Sequence, residues 1–319
     1  MTAKPPPQTL KIDKDSYPAL FNIADQVSVA AQRKFLRLVA ADLIFLIIGT
    51  ILSAISLCGV PAIAHINLPL AIAIGMGVTF GISLCLTIVL RTMQYEKIWY
   101  SSRAFAEAVR AMAWHYMTCA QPYPHTLTLA QADGELADTI FKLIEDQQSG
   151  PWMMSAELGD SREITDDMRT ARQLSSDARR QLYVRDRLKD QIAYYSGKAK
   201  DYRKSEERWF MFIIFAQFLA FVSAIIYVQW YNQLHLNIIS IFATLATVLF
   251  SWLQVKQYQE LAQSYSLTAH QLGLLHSGKE PHISNDTELS EFVVQAEEIM
   301  GREHTLWKIR RDQHAALLH

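Results

Sequence analysis

Five basic residues within one short stretch, Arg179, Arg180, Arg185, Arg187 and Lys189, are side chains that can recognise an anion. An arginine fork matches the oxygens of a phosphate, so the cluster is a candidate binding surface for an anionic ligand. Asp177, Asp186 and Asp190 interleave with it, which is also the pattern of a solvated coiled-coil face. Two further polar residues stand alone inside long apolar stretches. Asp42 lies about one turn inside the first of these, and it either pairs with Arg37 or Arg91 or lines a cation path, because lipid is a costly neighbour for an ionisable group. Gln217 lies in the middle third of the third stretch, where an amide cross-links helices or faces a pore.

Catalytic chemistry is not foreshadowed. The chain has no GxxxxGK(S/T) phosphate loop, no HExxH metal site and no GxSxG nucleophile elbow. Gly75, Gly77 and Gly81 fall within an apolar stretch, and Gly77 with Gly81 reads instead as GxxxG, a helix-packing motif in membranes. Ala216, Ala220 and Ala224 form a similar small-residue face. Of ten histidines, His270 and His276 flank a helix end, while His304, His314 and His319 lack the i, i+4 pairing of a metal site. Glu297, Glu298 and Glu303 stand among Arg302, Lys308, Arg310 and Arg311, as on a salt-bridged helix face. Cys58, Cys85 and Cys119 have no ligand spacing. The expectation is a non-enzyme without metal or cofactor, and no motif for binding genomic DNA is present.

The elements that carry these residues are defined by hydropathy. Two hairpins, each of two apolar segments, span about residues 38–90 and 209–253. Each segment approaches the ~20 residues that cross a ~30 Å hydrocarbon layer. The fold class is therefore all-α, a polytopic membrane protein with four transmembrane helices in two hairpins and long polar helices around them. The links Cys58–Asn67 and Gln229–His235 contain no Lys or Arg, whereas the outer flanks carry Arg33, Lys34, Arg37, Arg91, Lys97, Arg103, Lys198, Lys200, Arg203, Lys204, Arg208 and Lys256. Positive flanks stay in the cytoplasm, which places both termini and the middle segment there. Trp209, Trp230, Tyr231 and Trp252 mark the span ends. The formal net charge of −1 selects no partner, and MTAKPPPQTL lacks a signal-peptide core, so the first span is expected to target the chain.

Residues 1–16, with Pro5, Pro6 and Pro7, read as a flexible lead. A first unit follows over 17–150, a linker over 151–164 and a second unit over 165–319. In the first, a helix leads into span one, and Gln94–Ala120 continues span two until Pro122 and Pro124. In the second, Thr165 caps a helix opening with Asp166 and Asp167, interrupted only by Gly197 before span three. A 4-3 stripe of Leu174, Ala178, Leu188, Ile192, Tyr195, Ala199 and Tyr202, with Gln181 and Arg185 in two polar places, reads as a packing seam. Span four runs on to about His276, and a last helix follows Pro281 from about Glu288 to Arg311.

The flanks also carry a family signature. EKIWYSSRAFAEAVRAMAWHYMTCAQPY, with Trp99, Tyr100, Arg103, Ala104, Glu107, Ala113, Trp114, Tyr116, Met117 and Ala120, resembles the helix after the membrane hairpin in one subfamily of SLATT domains, the SMODS- and SLOG-associating two-transmembrane effectors. Ala108 stands where that pattern has Ser, Arg110 where it has Lys, His115 where it has Arg and Tyr123 where it has Phe. Arg187, Asp190, Gln191, Tyr195, Lys198, Ala199, Glu298, Glu303, His304 and Trp307 resemble a second SLATT subfamily. The chain thus resembles a tandem of two SLATT units. The resemblance implies a bacterial anti-phage effector that assembles as a homo-oligomer in the lipid of the inner membrane and forms a pore. It further implies control by a nucleotide or oligonucleotide signal from a nucleotidyltransferase partner. A non-conducting scaffold that recruits a toxic or sensing enzyme is the competing reading, and a small transporter fits less well because the second hairpin lacks paired broken half-helices.

The charge asymmetry makes a direct prediction about topology. A Gly59→Cys or Asn232→Cys variant should react with an impermeant thiol reagent applied outside the inner membrane, and labelling only after lysis would reverse the assignment.

Overall fold

The computed structural model describes residues 10–56, 68–145, 162–230 and 237–316, with side-chain detail as far as residue 301. The proline run at 5–7, the link 58–67, residues 231–235 of the second link and nearly all of the linker 151–164 lie outside these residues. Ten α-helices and no strand occur among the described residues. They are α1 (Ala19–Ser56), α2 (Leu68–Met93), α3 (Tyr95–Thr118), α4 (Leu129–Glu145), α5 (Asp166–Arg172), α6 (Ser176–Tyr183), α7 (Lys189–Gln229), α8 (Ile238–Lys256), α9 (Tyr258–Gly278) and α10 (Asp286–Ala316). Four helical stretches are long and apolar enough to cross a membrane, beginning in α1, α2, α6 and α8.

Contacts group the chain into two units. A membrane unit comprises Arg33–Tyr95 and Lys200–Ala262, and a helical body comprises Met1–Gln32, Glu96–Ala199 and Gln263–His319. The body therefore draws on both halves of the sequence. Its core holds Trp114, Tyr116, Met117, Tyr123 and Leu136 from one half and Met168, Tyr183, Leu188, Leu272 and Phe292 from the other, all without exposed surface or nearly so. Tyr183 meets Trp114 edge-on at 5.4 Å between ring centroids and Phe292 at 6.3 Å. Such aromatic pairs add about 0.5–1.5 kcal/mol each beyond the area they bury. The Trp114 indole N–H, buried in this core, donates to the Tyr17 hydroxyl at 3.0 Å.

Several helix ends differ from the sequence expectation. Span two does not run unbroken into α3, nor span four into α9. Gln94 and Gln257 adopt left-handed backbone, with φ of 46° and 48°, and each separates a membrane helix from the next helix, which opens on Tyr95 or Tyr258. The same Gln-Tyr step at the same place in both halves is an internal repeat of structure. α3 stops where Cys119 turns to φ 58° and the Ala120 N–H bonds to the His115 carbonyl at 2.9 Å. Thr165 caps α5 as expected, its hydroxyl accepting from the Met168 N–H. The helix then ends at Arg172, and Ser175 caps a new one by accepting from Ala178 N–H. The sequence suggests one long helix because a mid-sequence serine is weak evidence of a break until its side chain takes an amide.

The expected 4-3 seam also shifts. Leu188 and Tyr195 are buried, but Gln181 and Arg185 are exposed, and the buried stripe runs through Arg179, Tyr183, Arg187, Gln191 and Tyr195. Steps of four drift by about 40° each on an α-helix. A π-turn at Val184–Leu188, closed by Lys189 N–H to the Val184 carbonyl, absorbs part of that drift and keeps the stripe facing the core. Charged groups on that stripe are matched inside the body. The guanidinium of Arg187 binds both oxygens of Glu297, at 3.0 and 2.7 Å, and the Tyr183 hydroxyl donates to the same carboxylate at 3.0 Å. Glu297 is thus an interior counter-ion rather than part of a solvated face.

Burial of that ion pair sets its sensitivity to mutation. Arg187→Met should lower stability by about 3–5 kcal/mol, because it leaves a buried carboxylate without its counter-ion. Arg187→Met with Glu297→Gln should regain most of the loss, since the amide oxygen still accepts from Tyr183. Thermal unfolding of the detergent-solubilised variants measures both, and equal stability of wild type and the single variant would show that the pair contributes nothing.

Candidate functional site

The membrane unit holds the polar groups with no evident structural surplus around them. In the first hairpin Asp42 on α1 accepts a 2.5 Å hydrogen bond from the hydroxyl of Ser83 on α2, which is buried at 8% exposure. Neither Arg37 nor Arg91 forms an ion pair among the described residues. Helix geometry explains this: Arg37 is five residues away and faces elsewhere on α1, and Arg91 lies about 12 Å along α2 from Ser83. Of the two sequence readings for Asp42, the arginine-paired one is corrected to a pairing with serine. Ser83 was missed because a lone serine in a span has many bland explanations, and only its antiparallel register with Asp42 distinguishes it.

The same register continues up the hairpin. Gly49, seven residues on from Asp42, faces Phe80 and Thr79 so closely that a Cβ there would lie 3.0 Å from the Phe80 ring. Gly75 approaches Leu52. Thr79 is buried and returns its hydroxyl to the Gly75 and Met76 carbonyls, at 3.1 and 2.9 Å, so it needs no other partner. Gly77 and Gly81, the GxxxG pair, are exposed, and a Cβ at either would meet nothing within 4 Å. Packing within the chain thus uses Gly49 and Gly75, while the motif lies on an open face. A GxxxG pattern states that a close approach is possible, not that one of the chain's own helices makes it.

In the second hairpin Ala216 is buried at 2% exposure and Ala220 is half-buried. Trp209 and Trp252 lie with ring centroids 6.3 Å apart, and the Lys256 ammonium is 5.2 Å from the Trp252 ring, a cluster of the interfacial kind. Gln217 is exposed and lines an open groove with Ala220, Ala243, Ala246, Thr247 and Phe250.

The basic cluster of the body does not converge on one point. Arg179 is buried and donates to the Thr118 carbonyl at 3.0 Å and to Asp286 at 2.8 Å. Arg180 reaches Asp177, Glu280 and the Ile283 carbonyl, and exposed Arg185 holds Asp186 and the Leu10 carbonyl. Arg187 is committed to Glu297, and Lys189 is exposed. The five residues are therefore not assembled as an anion receptor, because a helix that passes through the core must point successive arginines in different directions. Arg172, which the sequence did not single out, donates to the Tyr116, Tyr123 and Pro124 carbonyls at 3.0, 2.8 and 2.8 Å. It satisfies the Tyr116 acceptor that α3 leaves open at its end and two more in the turn that follows. His115 is held below the usual imidazole range by burial, and its Nδ1 lies 2.7 Å from the Gln121 carbonyl. Among the described residues no group of three or more His, Cys, Asp or Glu is placed to hold a metal ion.

This geometry, two membrane hairpins with sparse internal polar groups and a helical body built by both halves, agrees with the comparisons to known families. Residues 18–180 match the model for SMODS and SLOG-associating 2TM effector domain 3, and residues 183–307 match that for SMODS and SLOG-associating 2TM effector domain 1. No curated protein and no solved structure matches the chain. With one model covering half of the sequence and a second covering most of the remainder, the chain is a membrane effector that belongs to the SMODS and SLOG-associating 2TM effector family, as a tandem of two of its domains.

Proposed function

We propose that this protein is a pore-forming or ion-channel effector of a bacterial anti-phage system, acting by depolarising the inner membrane and so arresting the infected cell. The observation that carries the reading is Asp42: a carboxyl group inside the hydrocarbon layer whose partner is a hydroxyl and not a cation. Such a group is not neutralised by a cation of its own chain, and several of them lining a path in an assembly would raise the local concentration of cations. The family's association with SMODS and SLOG proteins supports control by a nucleotide or short oligonucleotide made by a nucleotidyltransferase partner. The basic outer flanks of the spans, against links that carry no Lys or Arg, support cytoplasmic termini and a cytoplasmic body that receives the signal.

On this account the protein is not an enzyme, and damage begins as ion movement. Cells induced for the effector and supplied with the signal should lose a potential-sensitive dye response before nucleic acid is cut or NAD falls. Growth arrest with the potential intact would favour the scaffold reading instead. In reconstituted membranes Asp42→Asn should keep a conducting pore while shifting the reversal potential in a KCl gradient toward lower cation preference. An unchanged reversal potential would remove Asp42 from the ion path.

A further inference from the structure

Span three carries a polar group that the chain leaves without a partner. Gln217 is exposed on α7, and its carboxamide makes no hydrogen bond among the described residues. It lies eight residues beyond Trp209, about 12 Å into a ~30 Å hydrocarbon layer, so it sits near the middle. On a soluble protein water would satisfy this amide. In hydrocarbon nothing would, and two N–H donors and a carbonyl would be left unsatisfied.

The surroundings of Gln217 are those of a contact surface. Ala220, Ala243 and Ala246 line the adjoining groove with small side chains that let another helix approach closely. Thr247, at the same depth on α8, already spends its hydroxyl on the Ala243 carbonyl at 3.0 Å, so it does not serve Gln217. The missing partner must bring both a donor and an acceptor to the same level of the membrane. Two copies inserted in the same sense and related by a two-fold axis along the membrane normal do so by symmetry. A carboxamide is also complementary to itself, donor to acceptor in both directions, which a carboxylate or an ammonium is not.

We propose that a second copy of this chain docks along the groove beside Gln217, with the two Gln217 carboxamides hydrogen-bonded to each other across the interface. The contact deepens the channel reading by naming where copies meet. It does not depend on conduction, because a scaffold would associate in the same way.

Purified full-length protein in liposomes, with Cys58 and Cys85 replaced by Ser, tests the contact. Ala220→Cys should form disulfide-linked dimers on mild oxidation, whereas Phe215→Cys, at similar depth on the opposite face of α7, should not. Gln217→Leu should weaken association measured by energy transfer between labelled copies about tenfold, and Gln217→Asn should weaken it less. Cross-linking at Phe215→Cys but not Ala220→Cys, or cross-linking at Gly77→Cys alone, would place the interface elsewhere and overturn the proposal. So would wild-type association of Gln217→Leu, and a changed conductance in that variant would then assign Gln217 to a water-filled path. Wild-type dimers with no conductance would sink the channel reading and leave this contact standing.

Discussion

Tyr183 has no exposed surface, and the helical body is arranged around satisfying its hydroxyl and covering its ring. The hydroxyl donates to Glu297, the charge of Glu297 is balanced by Arg187, and the ring is edged by Trp114 and Phe292. A buried carboxylate requires a counter-ion in good geometry, which fixes α10 against the π-turn between α6 and α7. Trp114 in turn reaches Tyr17. Residues separated by more than a hundred positions are thereby held in one core, and two domains that follow one another in sequence share a single body.

That arrangement changes what tandem duplication means here. Each half contributes a hairpin to the membrane unit and helices to the body, and the repeated Gln-Tyr step at Gln94 and Gln257 shows the two halves ending a span in the same way. The halves meet elsewhere: the Trp114 ring of the first matched domain packs edge-on against Tyr183 of the second, and the Gln121 N–H donates to the Ser290 hydroxyl at 3.0 Å.

The sequence disclosed what depends on local composition. Four spans are legible because a bilayer demands long apolar runs, and the Thr165 cap because threonine followed by two aspartates is a local signal. What depends on distant partners was hidden. Arg187 and Glu297 look like surface charges until the core closes around them, and the left-handed turns at Gln94 and Gln257 carry no glycine to announce them. Gly49 packs against Phe80 without any motif, while Gly77 and Gly81 carry the motif and face outward. For Asp42 the residue was evident and its partner was not: Ser83 becomes meaningful only when the hairpin register is known.

The body is stabilised by internal ion pairs, and the membrane unit carries isolated polar groups at depths where each has a cost. Polar residues in that position serve ions, water or another helix, and the proposal assigns Asp42 to the first and Gln217 to the last. The decisive measurement is single-channel recording of purified protein in planar bilayers, with candidate nucleotides added to the side bearing the body. The account predicts discrete conductance steps whose opening depends on one of those nucleotides. A silent bilayer with associated, correctly inserted protein under every nucleotide would contradict it.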